Sequence, residues 1–213
     1  MKKVLFLIAI FSISISSPAQ MKFGVKAGGN VSYFSGMSVV GDNRGPSGSS
    51  SFTCGVHAGG FANYSFSDLF GVQIEALYSM QGGRCKYQKI DDWEYEGTFR
   101  SHYINLPLLL EVKPFKSPLS FLAGPQVGYC VSRSFYGYGI YFDKDRYKNF
   151  DFAVAWGLQY SLNEHLSLGL RHNIGLTPSC KFDDTYTFEG ESWGISYTGE
   201  HNKVLHLSVC WTF

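Results

Sequence analysis

From Lys22 onward hydrophobic and polar residues alternate with a period of two, the spacing at which successive side chains leave opposite faces of an extended strand. In the first run Phe23, Val25, Ala27, Val31 and Tyr33 share one face, and Lys22, Lys26, Asn30 and Ser32 share the other. The second, from about Phe52 to Phe66, sets Phe52, Cys54, Val56, Ala58, Ala62, Tyr64 and Phe66 against Thr53, His57, Asn63 and Ser65, with Phe61 breaking the polar side. The third opposes Phe70, Val72, Ile74, Ala76, Tyr78 and Met80 to Gln73, Glu75, Ser79 and Gln81. In the fourth, Ile104, Leu106, Leu108, Leu110 and Val112 oppose Tyr103, Asn105, Glu111 and Lys113. Pro107 and Leu109 fall on that second side, and Pro107, which has no N–H to give a ladder, predicts a bulge.

The second half repeats the pattern. Leu119, Phe121, Ala123, Val127, Tyr129 and Val131 oppose Ser120, Gly124, Gln126, Gly128 and Ser132 in the fifth strand. In the sixth, Phe152, Val154, Trp156, Leu158 and Tyr160 oppose Asp151, Ala153, Ala155, Gly157 and Gln159. The seventh sets Leu166, Leu168, Leu170, Ile174 and Leu176 against Ser167, Gly169, Arg171, Asn173 and Gly175, with His172 intruding on the apolar side. The eighth sets Leu205, Leu207, Val209, Trp211 and Phe213 against His206, Ser208, Cys210 and Thr212.

The connections alternate as well. Short links lie near Ser67-Asp68, Pro114 to Pro118 and Ser161 to His165, whereas Ser35 to Ser51, Gly82 to Arg100, Arg133 to Asn149 and Pro178 to Asn202 are long and rich in Gly, Ser, charge and aromatics. An even strand number with short turns on one rim and long loops on the other predicts an all-β fold: an eight-stranded antiparallel transmembrane β-barrel with short periplasmic turns and long extracellular loops. Both termini then lie on the periplasmic side. A secreted soluble barrel or sandwich would turn its polar face to water. Here that face is mostly Gly, Ser, Gln and Asn, which suits a narrow, filled lumen. Tyr33, Phe52, Tyr64, Phe66, Phe70, Tyr78, Tyr129, Tyr160 and Phe213 fall near strand ends, where aromatic girdles belong.

Residues 1–19 stand outside this pattern. Lys2 and Lys3, the apolar run Val4 to Ile15 and the small-residue site Ser17-Pro18-Ala19 occur in the order of a cleaved secretory signal peptide, leaving 20–213 as the barrel domain. Among 213 residues, 18 Lys+Arg balance 17 Asp+Glu for a formal charge of +1, so no basic field is available for nucleic acid.

Several runs together resemble the PorT-like outer-membrane β-barrel family. They are Lys22-Phe23-Gly24-Val25-Lys26-Ala27-Gly28-Gly29-Asn30, Gly71 to Ser79 followed by Gly82, Tyr103-Ile104-Asn105-Leu106-Pro107-Leu108-Leu109-Leu110, Leu122-Ala123-Gly124-Pro125, Arg171-His172-Asn173-Ile174-Gly175-Leu176, and Leu205 to Phe213. The resemblance spans essentially the whole chain after residue 19. It implies an integral barrel in a Gram-negative outer membrane and says little of activity, because the secretion role of the name-giving member does not transfer on likeness alone. The terminal aromatic, with apolar residues at alternate preceding positions, is similar to the signal by which outer-membrane assembly machinery recognises such barrels.

Charges on the polar face are the first candidates for a site. Glu75 and Arg171 each lie about five residues above their short turns, which at ~3.3 Å per residue puts them at one level on facing strands. Lys26, His57, Glu111 and His206 complete the expected lumen charge network. His206-Leu207-Ser208 resembles the His and Ser of outer-membrane lipid A deacylases, but alternation sends both inward, away from lipid, so no enzyme is expected. Cys54 and His57 have C-x-x-H spacing, yet three residues along a strand place them on opposite faces, and Asp91-Asp92 and Asp183-Asp184 lack further oxygen ligands. Neither a metal nor another cofactor is expected. Of five cysteines, Cys54 points to lipid and Cys130 and Cys210 into the lumen, so Cys85 and Cys180 form the candidate disulfide, with five free thiols as the alternative.

The long loops carry the other candidates: Trp93 and Tyr95 among acidic residues in the second, and Phe135, Tyr136, Tyr138, Tyr141 and Phe142 in the third. Such rings suit either a ligand-contacting surface or packing at the upper girdle. The expected function is structural or surface-interactive, with outer-membrane lipid, the assembly machinery and an extracellular or periplasmic protein as partners. The alternative is a carrier or channel for a small apolar solute.

Overall fold

The computed structural model describes residues 20–35, 48–88, 94–114, 117–137, 148–178, 184–188, 191–195 and 201–213. In chain order the strands are β1 (Gln20–Ser35), β2 (Gly48–Ser51), β3 (Thr53–Ser65), β4 (Phe70–Gln88), β5 (Glu94–Val112), β6 (Leu119–Gly137), β7 (Phe150–Ser161), β8 (Leu166–Gly175), β9 (Asp184–Phe188), β10 (Glu191–Ile195) and β11 (His201–Thr212). Around the wall they run β1, β3, β4, β5, β6, β7, β8, β11 and back to β1, every pairing antiparallel. This is a closed eight-stranded barrel. Beyond Phe52, β2 continues the second wall strand along β4. Closure leaves no open edge, so the backbone satisfies its own N–H and C=O groups, as a lipid-embedded wall requires.

The period-two pattern becomes two surfaces. Inward positions such as Gln73, Glu75, Leu77 and Ser79 of β4 are buried, and outward ones such as Ile74 and Tyr78 are exposed. The outside is a continuous band of Val, Leu, Ile and aromatic residues; the inside holds most of the buried Asn, Gln, Ser, His and charged residues. Aromatic pairs sit towards the long-loop rim, with Tyr33 and Phe52 centroids 5.0 Å apart and Tyr129 and Phe150 5.1 Å apart. Phe66 stacks with Phe70 at a short turn. There, Ser67 Oγ accepts from the Leu69 and Phe70 amides, and Asn163 Oδ1 plays the same part for His165 and Leu166.

The structure departs from the sequence expectation at three places. Pro107 makes no bulge: it stays in register with Gln126, and on its other side the β4–β5 pairing simply omits it between Ile74↔Leu108 and Leu77↔Asn105. The bulge lies instead at His102/Tyr103, where Tyr103 pairs with Cys130 but His102 pairs with Ser132, leaving Val131 as the extra residue. One extra residue reverses the face of everything beyond it. Ser132, expected in the lumen, is therefore exposed outside, and Arg133 turns inward.

The long connections are also more regular than their composition suggests. Most of Gly82 to Arg100 is paired strand, the β4–β5 ladder running on to Gln88↔Glu94, and β6 extends through Arg133 to Gly137. The last long connection contains a hairpin of β9 and β10. Cross-strand pairing sustains these ribbons without the apolar alternation that marks the wall.

Candidate functional site: the filled lumen

Alternation alone places Glu75 of β4, Arg171 of β8 and Lys26 of β1 inside, and barrel closure brings them together. Arg171 Nη1 lies 2.7 Å from Glu75 Oε2 and Nη2 lies 2.5 Å from Oε1. Lys26 Nζ adds a contact of 2.9 Å to Oε1, and Gln73 Nε2 donates to the same oxygen at 2.6 Å. Glu75 is 2% exposed, Lys26 5% and Arg171 8%, so two cations and one carboxylate occupy the barrel interior with little access to water. Ions so placed are tolerable because each is paired and hydrogen-bonded.

Glu111 does not touch this cluster directly. Its Oε2 accepts from Asn63 Nδ2 at 2.7 Å, and Asn63 also donates to Gln73 Oε1 at 3.2 Å, so the link to Glu75 runs through two amides. Nearer the short turns Lys113 closes the chain, its Nζ 3.1 Å from the same Glu111 oxygen.

The two histidines meet on the other side of the cluster. His57 Nε2 lies 2.8 Å from Ser208 Oγ, and the His57 and His206 rings meet edge to face at 4.7 Å. His57 and Ser208 belong to β3 and β11, which flank β1, and both are paired with Gly28. Gly28 makes that bond possible. A Cβ there would come 2.9 Å from His57 Cε1 and 1.9 Å from the Leu207 carbonyl oxygen. His206 Nε2 contacts Asn173 Nδ2 at 3.3 Å, and Asn173 donates to Gln126 at 2.9 Å. Ser208 thus meets His57 rather than His206, and Nδ1 of both histidines lacks a hydrogen-bond partner, so no carboxylate orients either ring.

Two lumen residues escaped the sequence reading because it assigned them to loops. Arg133 donates to Ser101 Oγ and Tyr103 Oη at 3.2 Å each, and Asn202 donates to Gln81 Oε1. Asn202 was legible, since it shares the parity of His206 and Ser208. Arg133 was hidden by the bulge.

Of the loop candidates, Tyr136 is 63% exposed on the outer surface. Trp93, Tyr138, Tyr141 and Phe142 lie outside the described residues, as do the side chains of Tyr95 and Phe135. Cys180 lies outside them too, as does the side chain of Cys85, and with them the candidate disulfide. Cys54 is exposed and Cys130 and Cys210 are buried, all three as free thiols. Cys54 faces outward and His57 inward, which separates the C-x-x-H pair as expected.

The model of a family described as outer membrane protein beta-barrel domain matches residues 16–181. Among solved structures, the chain is similar to Neisserial surface protein A, with 13% identity over 92% of this chain and 100% of that one and a TM-score of 0.47. It is similar to OprG of Pseudomonas aeruginosa, with 14% identity, coverage of 90% and 95% and a TM-score of 0.46. It is also similar to Ail of Yersinia pestis, solved with the heparin analogue sucrose octasulfate, with 12% identity, coverage of 91% and 99% and a TM-score of 0.44. No curated protein matches the chain in sequence.

Proposed function

Because this chain belongs to the outer membrane protein beta-barrel domain family, we propose that it is a closed outer-membrane scaffold whose function is exercised at its long-loop rim rather than through its lumen. The contact of Arg171 with Glu75 across the barrel, completed by Lys26, carries this reading: a solute crossing the interior would have to break a paired, hydrogen-bonded ion cluster. An eight-stranded barrel has an interior just wide enough for side chains, and these side chains occupy it. The histidines support a non-catalytic reading, because neither has an orienting acid. The finer placement among PorT-like barrels, removal of residues 1–19 on export and an outward-facing long-loop rim belong to the same proposal, as does contact of the loops with an extracellular or periplasmic protein.

Replacing residues 135–142 by a Gly/Ser segment tests it. The variant should still reach the outer membrane and shift on a gel after boiling, and should lose the binding or surface phenotype of the parent. Small-solute uptake into reconstituted vesicles that survives this replacement but is lost on enlarging Gln126 would overturn the reading in favour of a carrier.

A further inference from the structure

The lipid-facing side of β5 changes character towards the long-loop rim. Leu108, Leu106 and Ile104 are exposed and apolar, and the next two outward positions are His102 and Arg100. A charge facing lipid is costly at the bilayer centre and far cheaper at the interface. The level of these residues is fixed by Tyr78 of β4, whose ring stacks on His102 at 5.9 Å and whose Oη lies 2.6 Å from His102 Nδ1. Tyr129, part of an aromatic pair at that rim, stands opposite Ile104, one position below. His102 and Arg100 therefore emerge at the upper girdle, where acyl chains give way to headgroups.

A further cation and two hydroxyls share their face. Arg84, exposed on the same face, stands opposite Thr98 and is the diagonal neighbour of Arg100, about 7–8 Å away. On the other flank Arg100 stands opposite Ser134 and His102 opposite Ser132. Both serines share this outer face because of the Val131 bulge, which also turns Arg133 inward; bulges re-aim side chains in this way. No carboxylate faces Arg100 across either strand, since its partners are Gly82 and Ser134. Its Nε finds no hydrogen-bond partner. The Tyr78 hydroxyl occupies His102 Nδ1 and leaves Nε2 as the ring nitrogen open to a ligand.

We propose that Arg100 and His102, with Arg84 beside them and Ser132 and Ser134 as hydroxyl donors, form a site for the phosphate of an outer-leaflet glycolipid. The guanidinium fork suits a phosphate, and the apolar wall directly below, at Ile104, Leu106 and Tyr129, suits the same molecule's acyl chains. A free anion would need the cations alone; continuity with the lipid-facing band commits the site to a lipid. The location in the cell rests on the reading that the long-loop rim faces outward, but the binding itself does not.

The test uses the whole protein folded in non-ionic detergent, its thermal unfolding followed while diphosphorylated lipid A, fully dephosphorylated lipid A or inorganic phosphate is added. The phosphorylated lipid should raise the unfolding midpoint in a saturable way, and the other two should not. Arg100→Gln with His102→Gln should weaken the apparent affinity at least tenfold, Arg100→Lys should weaken it less, and Lys148→Gln should leave it unchanged. Equal stabilisation by the dephosphorylated lipid, saturation by inorganic phosphate alone, or indifference to the double substitution would overturn the site. The wild-type comparison of the two lipids decides the matter even if the double variant does not fold. Surface labelling of whole cells tests the rim's orientation separately.

Discussion

Arg171 and Glu75 form a two-point contact across the full width of the barrel, from strands with three others between them on either side of the wall. Lys26 reaches the same carboxylate from a third direction. Glu75→Gln would leave two buried cations facing a neutral amide, a loss of about 3–5 kcal/mol. Arg171→Met leaves the Lys26–Glu75 pair intact and should cost less. Replacing all three by Met should recover much of the loss, since apolar substitutes for a whole buried ion cluster are often neutral. Urea unfolding in detergent micelles, read by the folded band on an unboiled gel, should give that order; an unchanged midpoint for Glu75→Gln would remove the cluster from any structural account.

Gly28 and Gly29 make a contrast between neighbours. A Cβ on Gly28 would strike the Leu207 carbonyl oxygen and crowd His57, whereas one on Gly29 meets nothing nearer than 3.9 Å. Gly28→Ala should therefore cost about 1–3 kcal/mol through overpacking and loosen the His57–Ser208 bond, while Gly29→Ala should be nearly silent. Folding yield and unfolding midpoint of the two variants, measured side by side, check the difference.

That so much of the wall is legible in the sequence follows from its period of two: once one inward residue of a strand is known, parity fixes the others, which is how Glu75 and Arg171 could be placed at one level on facing strands. Parity fails where a residue is inserted. Nothing in the run Tyr129-Cys130-Val131-Ser132-Arg133 announces the extra residue, because Val131 is as apolar as its outward neighbours and Ser132 is small enough for either face. Pro107 drew the expectation of a bulge on sound chemistry, but the wall accommodates its missing N–H by omitting one stretch of pairing. The ribbon from Gly82 to Gln88 and Glu94 to Arg100 reads as loop because Gly, charge and aromatics crowd it and the face that continues the lipid side, with Arg84, Thr98 and Arg100, is polar; a strand pair standing above the lipid has no need of an apolar outer face.

The free cysteines among the described residues report the two surfaces independently. Cys54 is exposed on the lipid side, whereas Cys130 and Cys210 are buried in the lumen. A membrane-permeant maleimide should modify Cys54 in the folded barrel and reach Cys130 and Cys210 only after unfolding. Modification of Cys210 at the rate of Cys54 would contradict the inward assignment of alternate residues on β11.

Deleting Val131 tests the bulge most directly. Val131 is the residue without a partner between the pairs Tyr103↔Cys130 and His102↔Ser132, so its removal lets the β5–β6 ladder run straight through while Ser132, Arg133 and Ser134 keep their partners and their faces. Arg133 should then still reach Ser101 and Tyr103, and Ser132 and Ser134 should stay beside His102 and Arg100. The deletion should therefore cost little. Arg133→Met, by contrast, loses the bonds to Ser101, Tyr103 and the Lys148 carbonyl, at about 1.5–3 kcal/mol for each bond to a charged donor, and should lower the unfolding midpoint of a barrel that stays closed. If the deletion lowered the midpoint as far as Arg133→Met does, the inserted residue would itself be needed to hold Arg133 inward, and the pairing across the bulge would not be what sets its face.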